Sequence, residues 1–262
     1  MRMIEANGVA LHVREDGDRA GRPVVFSNSL GTDLRLWDAI LPLLPAGLRI
    51  IRYDKRGHGL SDCPKGPYAL DDLVADAEAL LEALDIRDCV FVGLSIGGLI
   101  GQGLSARRPD LIRAAVLSNT AARMGEPEMW QARMEAIRAG GLESIAEAVM
   151  DRWFGPAFRK RPEVAAWKNM MIRLPQEGYL GCCAAISAAD LTESTAALTL
   201  PVLGISGARD GACPPENTAA TIRSIVGARM ETIPDAGHLP CVEDPETYAR
   251  LLAEFLKETG HV

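Results

Sequence analysis

Hydrophobic positions change their spacing several times along the chain, and each change marks an element. Ile4 and the run Val9-Ala10-Leu11-His12-Val13 flank Asn7-Gly8, a pair that tolerates positive φ, so the chain is expected to open with a β-hairpin. Pro23-Val24-Val25-Phe26-Ser27 and Leu48-Arg49-Ile50-Ile51-Arg52-Tyr53 read as two further strands. From Leu70 to Leu84 the period becomes helical. Leu70, Leu73, Val74, Ala77, Leu80, Leu81 and Leu84 share one face, and Asp72, Asp76, Glu78 and Glu82 fall mostly off it. Asp71 or Asp72 suits the N-terminal cap and the positive end of the helix dipole. Cys89-Val90-Phe91-Val92-Gly93-Leu94 has no polar alternation, as expected of a strand buried on both faces. A helix of small residues from Ile96 to about Arg107 follows and is ended by Pro109. Ala114–Ser118, Val202–Ser206 and Met230–Ile233 are three more strands, and a helix from about Pro245 to Lys257 closes the chain.

Strands and helices alternating through short links predict an α/β protein, a mostly parallel sheet flanked by helices. Between about Ala121 and Ala197 the alternation stops and the pattern is helical throughout, with Trp130, Trp153, Phe154, Trp167, Tyr179 and several methionines. The expected organisation is therefore a core formed by residues 1–120 and 198–262, carrying a helical cap inserted at 121–197.

Composition narrows the partners. Of 262 residues, 48% are hydrophobic, enough for a sheet covered on both faces, and the formal charge of −7 argues against nucleic acid or an anionic membrane surface. A small anionic ligand stays open, because one local arginine overrides a weak global field. No apolar run approaches the roughly 18 residues of a membrane span, and the first residues lack the apolar stretch of a signal peptide, so a cytoplasmic protein is expected. The six cysteines include no C-x-x-C pair and are expected to be reduced and mostly buried, with no metal and no cofactor motif in the chain.

The candidate chemistry centres on Gly93-Leu94-Ser95-Ile96-Gly97. A fully apolar strand runs into Ser95 and a glycine-rich helix runs out of it, the setting of a nucleophile on a sharp strand-to-helix turn. The competing reading is a serine that caps a helix, with glycines present only for packing. A serine hydroxyl needs a base, and the base an orienting acid. Of four histidines, His12 in the hairpin and His261 near the terminus are expected to be solvated, which leaves His238 after the last strand and His58 in Arg56-Gly57-His58-Gly59. His238 is favoured because it follows both Ser95 and an available acid, Asp210, in the order Ser…Asp…His. Asp235 lies too near His238 in sequence, Asp190 lies inside the cap, and Asp54 reads as a loop organiser paired with its basic neighbours. The earlier strand that could carry an acid ends instead in Ser118-Asn119-Thr120. The oxyanion donors are expected to be the backbone N–H groups of Ile96 and Leu30, the latter in the loop Asn28-Ser29-Leu30-Gly31.

With these residues in place, the chain resembles the α/β-hydrolases, and within them the 3-oxoadipate enol-lactonases of bacterial aromatic catabolism. The broader resemblance rests on the Ser95 turn, Arg56-Gly57-His58-Gly59-Leu60-Ser61, the Gly207–Asp210 loop and Asp235-Ala236-Gly237-His238. The narrower one rests on Ser27-Asn28-Ser29-Leu30-Gly31-Thr32-Asp33 with Trp37, Gly181-Cys182-Cys183-Ala184-Ala185-Ile186 with Ala189-Asp190, and Gly204–Gly211. Asn28-Ser29 stands where many α/β-hydrolases carry His-Gly, a feature the enol-lactonases share. Cys213 is a departure, beside the acid loop, with oxidation sensitivity as its expected consequence. The resemblance implies hydrolysis of 3-oxoadipate enol-lactone through an acyl-enzyme on Ser95. The substrate's carboxylate would then call for a cation in the cap. Arg133 shares a helical face with Trp130, Met134 and Ile137 and is the candidate, against a reading in which it reaches solvent or pairs with Glu135. Arg152 and Trp153 come next. The alternatives on the same scaffold are a broad carboxylesterase, a C–C-bond hydrolase or a perhydrolase, and more remotely a non-catalytic receptor.

Overall fold

The computed structural model describes residues 1–262. Eight strands form one sheet: β1 (Arg2–Ala6), β2 (Val9–Gly17), β3 (Arg22–Ser27), β4 (Leu48–Tyr53), β5 (Cys89–Leu94), β6 (Ile112–Ser118), β7 (Val202–Gly207) and β8 (Arg229–Ile233). Their order across the sheet is β1-β2-β4-β3-β5-β6-β7-β8. β2 pairs antiparallel with β1 and with β4, and every later pairing is parallel. The opening hairpin turns on Asn7 at φ 51 and Gly8 at φ 74. β5 is buried along its whole length because it sits mid-sheet with helices over both faces, which is why its sequence does not alternate.

The flanking helices are α1 (Leu70–Ala83) and α2 (Ile96–Arg107), followed between β6 and β7 by α3 (Pro127–Gly140), α4 (Ala146–Trp153), α5 (Val164–Ile172), α6 (Gln176–Ala188) and α7 (Thr192–Ala196). After β7 come α8 (Pro215–Arg223), α9 (Pro240–Glu243) and α10 (Pro245–Glu258). No strand interrupts the stretch between β6 and β7, and α3 packs on α6 while α4 packs on α5. One apolar core runs from the sheet into this helical layer, joining Leu94 and Leu99 to Trp153 and Tyr179. No helix is long and apolar enough to cross a membrane.

Local expectations needed correction where chain ends and caps meet the rest of the molecule. The cap residue of α1 is Ala69, and Asp72 works from the first turn, accepting the Ala69 N–H at 2.8 Å. His12 and His261 are buried, not solvated. β2 is an interior strand of the sheet, and there His12 Nδ1 meets Asp54 Oδ2 at 2.8 Å. The segment after α10 folds back so that His261 Nε2 lies 2.9 Å from the carbonyl of Pro23. Asp54 does not pair with its basic neighbours. It accepts the N–H groups of Leu34 at 2.7 Å and Leu60 at 3.0 Å, while Arg56 turns to Asp76 at 2.6 Å.

Candidate active site

The turn between β5 and α2 holds Ser95 at φ 60 and ψ −120, a backbone region that costs a non-glycine residue about 1–3 kcal/mol. Its flanks have to be glycine. A Cβ on Gly93 would lie 2.2 Å from the Gly97 carbonyl oxygen, and one on Gly97 would lie 2.1 Å from that of Ser27. The strain is held from both sides, since Ser95 N–H donates to the Ser118 carbonyl at 2.9 Å and Thr120 Oγ1 donates to the Ser95 carbonyl at 2.8 Å. Ser95 therefore stands at the N-terminus of α2, where the helix dipole favours negative charge.

Asp210 and His238 come from the loops after β7 and β8. Asp210 Oδ2 accepts from His238 Nδ1 at 2.8 Å and from Asn119 Nδ2 at 2.7 Å. Its Oδ1 accepts the N–H groups of Ala212 at 2.7 Å and Cys213 at 2.9 Å. A carboxylate only accepts, so the proton of a neutral His238 lies on Nδ1 and Nε2 is free to take a proton. Nε2 has Ser29 Oγ at 3.4 Å, while Ser95 Oγ makes no hydrogen bond to it. Ser29, Ser95 and His238 face one cavity of about 280 Å³. The rival groups lie elsewhere. Asp235 is exposed, and so is Asp190, which accepts from Thr192. His58 is buried, and its Nε2 accepts the Gly31 N–H at 3.1 Å. Burial and the nearby Lys55 charge hold His58 well below the usual histidine range, so it is a fixed acceptor that shapes the loop.

That loop carries one expected oxyanion donor. Asn28 organises it from within, donating to the Tyr53 carbonyl at 2.8 Å and accepting from Trp37 Nε1 at 2.7 Å. Lys55 Nζ donates to the Ser29 carbonyl at 2.8 Å. With Gly31 N–H occupied by His58, Leu30 N–H donates to no acceptor in the protein, and Leu30 lines the cavity beside Ser95. Ile96 is the first residue of α2, so its N–H has no partner one turn back.

The helical layer supplies the far wall. Trp130 is buried, with Nε1 donating to the Met124 carbonyl at 2.6 Å, and the Arg133 guanidinium lies 4.8 Å from the centre of its ring. Arg133 does not pair with Glu135, which accepts from Gln131 instead. Arg152 also faces the cavity, its Nε bonded to the Ala148 carbonyl at 3.1 Å. Burial, then the charge of Arg133, lower the pKa of Arg152. Two arginines and no carboxylate line this cavity. Cys213 is buried, and its thiol is pushed up to about 12 by burial and the Asp210 charge, so the oxidation sensitivity expected of it has no thiolate to act through. No cluster of three or more histidine, cysteine or acidic side chains could hold a metal ion.

Sequence reasoning missed Ser29 Oγ beside His238, the Asn119 contact to Asp210, and the main-chain bracket around both loops. In that bracket Gly211 N–H donates to the Arg152 carbonyl at 3.1 Å and His238 N–H to the Trp153 carbonyl at 2.7 Å. Of these only Asn119 had a signal in the sequence, its place at the end of a strand that could have carried an alternative acid.

Known proteins resemble this arrangement over nearly its full extent. A family described as the alpha/beta hydrolase fold matches residues 22–245. The 3-oxoadipate enol-lactonase 2 of Acinetobacter baylyi is 36% identical over 257 residues, covering 97% of this chain and 96% of that protein. The crystal structure of the enol-lactonase from Burkholderia xenovorans LB400 is similar with a TM-score of 0.94 at 38% identity, covering 98% of this chain and 100% of that one. A thermophilic esterase from Thermogutta terrifontis, solved with malate bound, has a TM-score of 0.93 at 28% identity and full coverage, 100% of both chains. The chain belongs to the α/β-hydrolase family, and it is a hydrolase of that fold similar over nearly its whole length to 3-oxoadipate enol-lactonases.

Proposed function

We propose that this protein hydrolyses a small anionic enol-lactone of the 3-oxoadipate type, as a step in aromatic breakdown, with Ser95 as nucleophile, His238 as base and Asp210 as the orienting acid. The observation that carries the reading is the composition of one cavity. Ser95 and His238 face it from the core, and Arg133 and Arg152, neither paired with a carboxylate, face it from the helical layer. Two cations without a carboxylate partner facing one cavity favour an anionic ligand. The names of the similar enol-lactonases support the same choice.

In this reading Ser95 Oγ attacks the ring carbonyl while His238 Nε2 takes its proton and Asp210 steadies the imidazolium. The tetrahedral oxyanion lies between the N–H groups of Leu30 and Ile96, each donor lowering the barrier by about 3 kcal/mol. Collapse breaks the ring C–O bond as His238 Nε2 gives its proton to the departing enol oxygen, which leaves more readily than an alkoxide, and the enol tautomerises to the ketone. Water, deprotonated by His238, then frees the acyl group from Ser95. Arg133 and Arg152 hold the carboxylate arm through both steps.

The deciding experiment compares 3-oxoadipate enol-lactone with p-nitrophenyl acetate. The lactone is expected to turn over with much the higher kcat/KM. Equal turnover of the ester with no action on the lactone would end the substrate assignment. Failure of a fluorophosphonate to label Ser95 in the folded protein would end the nucleophile assignment.

A further inference from the structure

Lys55 has no evident reason to be where it is. It lies in the loop after β4 with 1% of its surface exposed, and no carboxylate stands within ion-pair distance. Burying an ammonium without a paired charge is costly. Its one hydrogen bond goes to the carbonyl of Ser29 at 2.8 Å. Thr32 adds two more bonds to the same oxygen, from Oγ1 at 3.0 Å and from its N–H at 3.3 Å. That carbonyl belongs to the peptide unit whose other end is the N–H of Leu30.

Charge drawn onto an amide oxygen withdraws electron density from the amide nitrogen, so the N–H of the same unit becomes a stronger donor. An ammonium does this more than a neutral donor. His58 completes the arrangement by occupying the neighbouring Gly31 N–H, which fixes the loop without touching Leu30 N–H. We propose that Lys55 is a positioning residue for catalysis, a buried cation that orients and polarises the Ser29–Leu30 peptide so that Leu30 N–H binds the oxyanion more strongly. This rests on the reading of Ser95 as the nucleophile.

The groups facing the ammonium are Cys182 from α6, Asp54 and Asp33 from the adjoining loops, and His58, which is neutral. Burial outweighs the nearby negative charges and brings Lys55 down to about 8. The cation is present below that pH and is lost above it. The oxyanion donor therefore weakens on the alkaline side.

The test measures the rate of Ser95 labelling by a fluorophosphonate from pH 6 to 9.5, with p-nitrophenyl acetate kinetics alongside, in wild type, Lys55→Met and Lys55→Arg. At pH 7 Lys55→Met is expected to label on the order of tenfold more slowly, a part of the hundredfold or more that losing an oxyanion donor costs. Its KM for the ester should stay within about twofold, because a polarised donor acts on the transition state. The wild-type rate should fall above about pH 8, and Lys55→Met should show no such fall. Lys55→Arg, whose charge does not titrate in this range, should recover the rate and hold it to pH 9.5. Wild-type rates in Lys55→Met at every pH overturn the proposal, as does a loss that appears only in KM. If neither variant folds, a wild-type rate that stays flat between pH 8 and 9.5 overturns it. A wild type that is not labelled at all fails at the nucleophile instead, and this proposal falls with it.

Discussion

Asp210→Asn separates the proposed role of Asp210 as orienting acid from its place in the fold. The two oxygens of Asp210 have different duties: Oδ1 holds the N–H groups of Ala212 and Cys213, and Oδ2 holds His238 Nδ1 and Asn119 Nδ2. An amide has only one acceptor. The two main-chain donors cannot turn away, so the amide oxygen stays with them and the new NH2 faces His238. Nδ1 must then accept, the imidazole proton moves to Nε2, and the base is capped on the side that should receive the serine proton. The expected loss in kcat/KM is about 10⁴-fold, or about 5.5 kcal/mol of barrier. Stability should change little. Asn119 Oδ1 is buried without a partner and can rotate to meet the new NH2 at the expense of the 3.2 Å bond to the Gly237 carbonyl. The net cost is about 1 kcal/mol, a fall in Tm of about 2–4 °C. Steady-state lactone hydrolysis and a thermal melt on the same preparation check both halves. A variant that melts normally and keeps more than a tenth of the activity would refute the assignment of Asp210.

Further expectations concern the cavity wall and the contacts behind it. Arg133→Ala should raise KM for the anionic lactone about 10- to 100-fold, the worth of one charge-assisted contact, and leave p-nitrophenyl acetate nearly unaffected. An unchanged lactone KM would remove Arg133 from the site. Gly178→Ala places a Cβ 2.2 Å from the Gly57 carbonyl oxygen and 2.4 Å from its Cα, so α6 must lift off the loop that carries His58. A loss of about 2 kcal/mol in chemical denaturation is expected, and an unchanged midpoint would show that the contact yields freely. Glu243 accepts the N–H groups of Gly155 at 2.8 Å and Gly237 at 2.7 Å, and burial raises its carboxyl from 4.5 to about 7 despite those bonds. Between these values the folded chain holds more protons than the unfolded one, so this group's contribution to stability is full below about 4.5 and lost as pH rises through about 7. The Tm of wild type minus that of Glu243→Gln should therefore fall across this window, and a constant difference would contradict the linkage.

How much was legible in the sequence followed the range of the interactions involved. The two-residue turn at Asn7-Gly8, the helical period of Leu70–Leu84 and the unbroken apolar run of β5 are decided by neighbours a few positions apart, and they could be read directly. Ser95 could be singled out for the same reason, because the strand, the strained turn and the close approach of Gly93 and Gly97 are all local. Asp210 and His238 followed from chain order and from their places after buried strands. The tertiary structure decided what these groups meet. Asn119 lies 91 residues from Asp210, Lys55 lies 26 from Ser29, and His12 lies 42 from Asp54. Hydrophobic spacing reports which face of an element is buried, but it carries nothing about which loops the sheet order brings together. The burial of His12 and His261, the two arginines left without a carboxylate partner and the cation behind the Leu30 peptide exist only once β3, β4 and the helical layer have packed against one another. The local pattern determined the elements and the chemistry they could present, and the packing determined the field in which that chemistry would run.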